Sequence, residues 1–244
     1  MRHSLLLPWL HRLIPGYCLL CNSQLQDRLL CEACELDLPY LSAAPDCCRQ
    51  CALPLASQSN WCGQCLRTPP GFSRAFIPFA YVSPVDYLIS GFKYRRQPGF
   101  GKALTQLLLP FLQHSYDESG EPWPDYLIPV PLHWSRLLRR GFNQTVVLAQ
   151  GLESAIPTRL LHRACHRNYR RGNQQGLNRR QRQKNMRHVF RLGTTTADRI
   201  QGKCIAILDD VVTTTATARE LSRLLLQEGA REVHLWALAR TPAS

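Results

Sequence analysis

The chain has 244 residues, 45% of them hydrophobic and 19% charged, an ordinary globular composition with length for one large domain or two small ones. A disordered or fibrous protein is excluded. Lysine and arginine outnumber the acids by 30 to 17, and a net charge of +13 points to an anionic partner, phosphate-bearing ligands first.

At the N-terminus Arg2 precedes a short leucine run that lacks a long apolar region and a small-residue cleavage site, so no export signal is expected and the chain reads as cytoplasmic. No apolar run reaches the roughly 18 residues of a membrane span. Reduced thiols are then the expectation.

Nine of the eleven cysteines fall between Cys18 and Cys65. They form four identical knuckles, Cys18-x2-Cys21, Cys31-x2-Cys34, Cys48-x2-Cys51 and Cys62-x2-Cys65. Two intervening residues let a tight turn aim both thiolates at one tetrahedral cation, and a second knuckle closes the shell. Four knuckles make two structural Zn2+ sites. Sequential pairing needs only short hairpins and is preferred, while interleaving stays open on spacing alone. Cys47 is left over, as filler or as a stand-in for Cys48. About sixty residues of this kind cannot fold on apolar burial alone, so the metal is structural. The ribbon region is expected over 1–70 and a second domain over 71–244.

After the Thr68-Pro69-Pro70-Gly71 linker, Ala75 to Val82 reads as a strand. Tyr87 to Phe111 reads as helix broken near Pro98 and Gly99, Asp117 to Pro124 as a polar loop, and Tyr126 to Val130 as a strand. Asn143 is a candidate N-cap for a helix ending by Pro157. Lys203 to Asp209 is a buried strand, followed by a helix with Ala218, Leu221, Leu224 and Leu225 on one face, Gly229 as its stop, and a last strand over Glu232 to Ala239. Alternating apolar runs and amphipathic helices predict an α/β domain with a parallel sheet and flanking helices, whose ligands gather at the strands' carboxyl ends.

One such end is Ile205 to Thr217, IAILDDVVTTTAT. A buried strand delivers Asp209 and Asp210, and a turn of Thr213, Thr214, Thr215, Ala216 and Thr217 opens a helix where an anion is favoured. Carboxylates accept from sugar hydroxyls and the loop holds a phosphate, which suits a sugar phosphate. The chain has no GxxxxGK[ST], which excludes a nucleotide-hydrolysing P-loop. Upstream, Pro129 to Gln144 (PVPLHWSRLLRRGFNQ) places Arg136, Arg139 and Arg140 beyond a strand end, where guanidinium forks suit pyrophosphate. Between Ser154 and Ala197 there is no acid but many arginines, which suits a lid over an anion or a nucleic-acid backbone.

The LDDVVTT run resembles the ribose-phosphate loop of type I phosphoribosyltransferases, which bind phosphoribosyl pyrophosphate with Mg2+. Thr215 departs from that motif, standing where glycine lets the backbone approach phosphate. Together with the four knuckles, Phe92-Lys93-Tyr94, PVPLHxxR…RGFNQ, and Gln174-x2-Leu177-x4-Arg182-x2-Asn185, the chain resembles the ComF/GntX family over nearly its whole length. The resemblance implies a type I phosphoribosyltransferase-like sheet behind a double zinc ribbon, and a link to competence and the use of imported DNA. On it, Asp209 and Asp210 take the ribose, Thr213 to Thr217 its phosphate, and Lys93, Arg136 and Arg140 the leaving group, beneath a lid bearing Gln174 and Arg182. The alternative is a non-catalytic adaptor that holds single-stranded DNA, or competence proteins, through the ribbons and the basic segment.

Overall fold

A computed structural model describes residues 16–26, 28–41, 47–55, 59–95, 97–167 and 189–242. The ribbon region contains strands β1 (Gly16–Tyr17) and β2 (Gln24–Leu25), paired antiparallel, and helices α1 (Glu32–Leu36) and α2 (Gly63–Arg67). The main sheet is built from β3 (Arg74–Phe76), β4 (Phe79–Ala80), β5 (Tyr126–Pro129), β6 (Arg159–Leu160), β9 (Cys204–Val212) and β10 (Glu232–Arg240). Its order is β3-β10-β9-β5-β6, with β4 also on β10, and every pairing is parallel. A separate antiparallel pair, β7 (Cys165–Arg167) and β8 (Phe190–Leu192), flanks it. The helices are α3 (Val85–Tyr94), α4 (Pro98–Ser119), α5 (Trp134–Arg140), α6 (Gln144–Glu153), α7 (Thr196–Ile200) and α8 (Ala216–Gln227).

Side chains alternate across a strand, so β9 and β10 feed two cores. Ala206, Leu208, Trp236 and Leu238 pack with Leu88, Phe92, Leu104, Leu108 and Leu148 of α3, α4 and α6. Ile205, Ile207, Val233 and Leu235 pack with Leu221 and Leu225 of α8. The ribbon enters both cores, Cys18 and Leu30 the first and Cys48, Cys51, Cys62 and Cys65 the second. Continuous apolar runs thus become strands covered on both faces, as expected of a parallel sheet.

Three boundaries differ from the sequence expectation. The Ala75 to Val82 strand is split at Ile77-Pro78, because Pro78 has no N–H to give a ladder. The loop expected from Asp117 starts later, since α4 runs to Ser119 and stops at left-handed Gly120 (φ 63°). Strand β9 outlasts its apolar run and carries both acids within it. The break near Pro98 stands as anticipated, with Pro98 in the first turn of α4.

Helices α3 and α4 meet glycine to phenyl in both directions. A β-carbon on Gly91 would lie 2.7 Å from the Phe100 ring, and one on Gly101 2.7 Å from Phe92. On a solvent-facing helix Gly91→Ala would gain about 1 kcal/mol. Here overpacking reverses the sign, and urea unfolding should show a loss of about 1–3 kcal/mol.

Candidate functional site

The cysteines assemble sequentially. Cys18, Cys21, Cys31 and Cys34 form one group and Cys48, Cys51, Cys62 and Cys65 another, each with its sulfurs within 4.8 Å of one another. Two thiolates at tetrahedral positions around zinc stand about 3.8 Å apart. The Cys21–Cys31 and Cys51–Cys62 separations are 3.6 and 3.7 Å. In both groups the third cysteine is the N-cap of a short helix, α1 or α2, and the fourth lies in its first turn. Backbone amides add N–H···S bonds, Cys31 to Cys18 and Cys65 to Cys62, both 3.4 Å. Hydrogen bonds led by the Ser23 hydroxyl pull Cys21 down to about 6, whereas burial and then the Cys48 charge push Cys51 up to about 11. Four thiolates in so small a volume need a cation, and the donor sets fit zinc. Cys47 stands outside, its thiol 3.8 Å from the Leu41 carbonyl.

The carboxyl ends of the sheet form a second locus. Strand β5 ends at Pro129, opposite Leu208, so among the described residues β9 from Asp209 onward pairs only with β10. Of the residues expected at the site, Asp209 and Asp210 lie in β9 itself, and Lys93 reaches Asp210 from the end of α3. Asp209 follows the alternation of Ile205 and Ile207, Asp210 that of Ala206 and Leu208, so the two carboxylates leave opposite faces. Asp210 Oδ2 lies 2.9 Å from Lys93 Nζ at the end of α3, and both side chains are mostly buried. Asp209 Oδ1 accepts from the Asp210 amide at 2.8 Å. Burial, and then the Asp210 charge, push the Asp209 carboxyl up to about 7, against the pull of that amide, Lys93 and Arg167.

Arg167 ends β7 and is the residue that sequence reasoning left inside a charge run. It acts electrostatically on Asp209, and burial together with the Arg136 charge holds it below the ordinary arginine range. Only the pairing of β7 with β8 brings it here, across residues that no local motif connects. Arg136 and Arg139 are exposed on α5. Arg140 is 7% exposed and gives Nη1 to Gln144 Oε1 (3.0 Å) and Nη2 to the Tyr94 hydroxyl (3.2 Å). It therefore braces the end of α3 that carries Lys93. The proline-fixed loop before α5 is held by Val130, whose carbonyl accepts from Asn143 Nδ2 (3.1 Å) and Thr145 Oγ1 (2.8 Å). Gln174 and Arg182 lie outside the described residues.

The threonine turn is shaped like a glycine turn. Thr213 and Thr214 are exposed, Ala216 and Thr217 open α8 half-buried, and buried Thr215 is left-handed at φ 59°, ψ 1°. An L-residue there costs about 1–2 kcal/mol, so Thr215 supplies at a cost the backbone that glycine gives freely. Its Oγ1 accepts from Arg219 Nε at 2.8 Å.

A third group, Cys204, Glu232 and His234, lies at the opposite edge of the sheet, unannounced by ligand spacing in the chain. Trp236 Nε1 can only donate, and it donates to the Tyr116 oxygen (3.1 Å), leaving the phenol proton for His234 Nδ1 (2.7 Å) and the Nε2 proton for Glu232 (3.3 Å). Burial foremost keeps His234 below its ordinary range, and a neutral ring completes this hydrogen-bond chain. Cys165 is a buried packing residue beside Phe190.

Two four-thiol sites packed beneath a parallel sheet with an acid-and-threonine rim define a class: a double zinc ribbon joined to an α/β domain built on a parallel sheet. The double zinc ribbon domain family matches residues 9–66. DNA utilization protein YhgH of Escherichia coli O6:H1 is 36% identical over 232 residues, covering 93% of this chain and 98% of the relative. Competence protein F of Haemophilus influenzae is 30% identical over 214 residues, covering 86% and 90%. The chain belongs to their family, the ComF/GntX family. Among solved structures, an allosteric regulatory enzyme of purine biosynthesis is similar over 61% of this chain and 30% of its own, at 17% identity and a TM-score of 0.39. A Trypanosoma cruzi hypoxanthine phosphoribosyl transferase is similar over 59% and 75%, at 14% identity and a TM-score of 0.38.

Metal analysis should find two zinc ions per chain, one for each four-cysteine group, and chelation should lower the melting temperature. Metal-free protein with oxidised thiols would overturn the assignment. A second test concerns Asp209. Its carboxyl titrates higher in the folded chain than in the unfolded one, so the folded state holds the extra proton and stability falls as pH rises from about 4 to about 7. Asp209→Asn should match the parent at pH 4 and exceed it by about 2–4 kcal/mol at pH 8 in urea unfolding. A parent whose stability does not decline across that window would refute the reading.

Proposed function

We propose that the carboxyl-end site binds a ribosyl phosphate, with Mg2+-phosphoribosyl pyrophosphate as the ligand. The observation that carries this is one rim holding two carboxylates of opposite facing, Lys93 and Arg167 beside them, and a left-handed turn with exposed Thr213 and Thr214 at the start of α8. Asp209 and Asp210 accept hydrogen bonds from the ribose hydroxyls, and the amides and hydroxyls of Thr213 to Thr217 take the phosphate ester at the positive end of a twelve-residue helix. Lys93, Arg136 and Arg167 face the pyrophosphate. Magnesium would arrive as part of the ligand and would offset part of its phosphate charge. Arg140 contributes through Tyr94 and the end of α3, and Gln174 and Arg182 remain proposed as covering residues.

The same groups serve transfer to a nitrogen nucleophile. Negative charge grows on the departing pyrophosphate while C1 of the sugar becomes cationic, and fixed guanidinium groups stabilise that departure. The names of the relatives, a DNA utilization protein and a competence protein, support a role for such a site in the use of DNA. A second reading, single-stranded DNA binding, is favoured by α5, where Trp134 is 45% exposed alongside exposed Arg136 and Arg139. An aromatic face and guanidinium groups together stack bases and track a backbone.

Calorimetry with Mg2+-phosphoribosyl pyrophosphate should show micromolar binding, weakened more than about tenfold by Asp210→Asn and by Lys93→Ala, each removing one side of a nearly buried pair. No heat from the parent chain sinks the ligand reading. Salt-sensitive binding of single-stranded DNA in that case supports the adaptor.

A further inference from the structure

The second cysteine group lies beneath the threonine turn, and two arginines join them. Arg240, the last residue of β10, is 2% exposed. Its Nε gives a hydrogen bond to the Cys51 carbonyl (3.2 Å), and its Nη1 bonds the carbonyls of Val212 (3.0 Å), Thr213 and Thr241 (3.3 Å). Arg219, in the first turn of α8, gives Nε to Thr215 Oγ1 (2.8 Å), Nη1 to the Thr68 carbonyl (2.5 Å) and Nη2 to Cys65 Sγ (3.8 Å). Each guanidinium therefore has one edge on a zinc knuckle and another on the turn. A rigid planar fork transmits position between such segments, which a lysine's single flexible ammonium does not.

The turn needs this support. Thr215 is held in a conformation that an L-residue leaves when its surroundings loosen. Among the described residues the first cysteine group has no such tie: the hydrogen bonds of Cys18, Cys21 and Cys31 stay inside the ribbon.

We infer that the Cys48, Cys51, Cys62 and Cys65 site is part of the ligand machinery, with Arg219 and Arg240 as positioning residues through which zinc at that site sets the phosphate-binding turn. The ligand half of this rests on the ribosyl-phosphate reading; the link between metal and turn does not. Coupling is reciprocal, so a ligand held by the turn also tightens zinc binding at this site and not at the other.

The test uses the full zinc-loaded chain. Hydrogen exchange of the 212–217 amides is followed in the parent, in Cys62→Ser and Cys34→Ser, each missing one zinc, and in Arg219→Ala and Arg240→Lys, which keep both. Exchange should quicken roughly tenfold or more in Cys62→Ser and in both arginine variants and stay slow in Cys34→Ser. If Cys62→Ser or Arg240→Lys fails to fold, the half-buried Arg219 still carries the test. Parent-like exchange in Arg219→Ala with zinc bound, or equal acceleration in Cys34→Ser, overturns the inference. Calorimetry with Mg2+-phosphoribosyl pyrophosphate on the same samples separates the two failures. Coupled exchange with no heat from the parent removes the ligand reading alone, and parent-like affinity in the arginine variants removes the coupling alone.

Discussion

The structure turns on how far β9 runs past its neighbour. Strand β5 stops opposite Leu208, while β9 continues to Val212, paired among the described residues only with β10. Two consecutive carboxylates thus sit in a strand whose inner half is wholly apolar and whose outer half is open on one edge. Ionised carboxylates tolerate such partial burial only with counter-charge or a hydrogen-bonded partner. Asp210 obtains Lys93 from one face of the sheet. Asp209, on the other face, has a backbone amide and the more distant Arg167, and its carboxyl stays high. The asymmetry follows from strand alternation: adjacent side chains leave opposite faces, so Lys93 pairs directly with Asp210 and reaches Asp209 only through its charge.

This arrangement explains why the basic groups come from different parts of the chain. Lys93 descends from α3, packed on the first core, and Arg167 from the β7–β8 pair, whose Cys165 and Phe190 belong to the second. Each core thus contributes one basic arm to the rim. The ribbon belongs to the same plan. Its second cysteine group is buried among Phe72, Ile77 and Val212, so metal binding there organises core as well as ribbon.

The elements most legible in the sequence were those with an uninterrupted physical cause. Identical CxxC spacing led to zinc, the short hairpins favoured sequential pairing while interleaving stayed open, and apolar runs between amphipathic helices led to the parallel sheet. The acids and threonines were found because strand, turn and helix follow one another without a gap. What was not legible depended on pairing across distance. Nothing local marks Arg167 apart from its neighbouring arginines, since its position depends on β8. The bonds of Arg140 to Gln144 and Tyr94 likewise cannot be seen from spacing. No sequence spacing joins Cys204 to His234 and Glu232, which meet it only through the β9–β10 register.

Thr215 shows how such a departure is accommodated. Glycine would adopt its backbone at no steric cost, and a β-branched residue would ordinarily drive the turn elsewhere. The hydroxyl that comes with the branch, however, accepts from Arg219, and the same arginine reaches the Thr68 carbonyl and the Cys65 sulfur. The substitution that strains the turn also gives it an anchor in the metal site. With the Asp209 carboxyl held high and Thr215 held left-handed, the rim carries two local costs within seven residues of chain. Costs so concentrated, in a strand and helix otherwise packed without strain, mark the place where the fold gives up stability to present a shaped, polar surface.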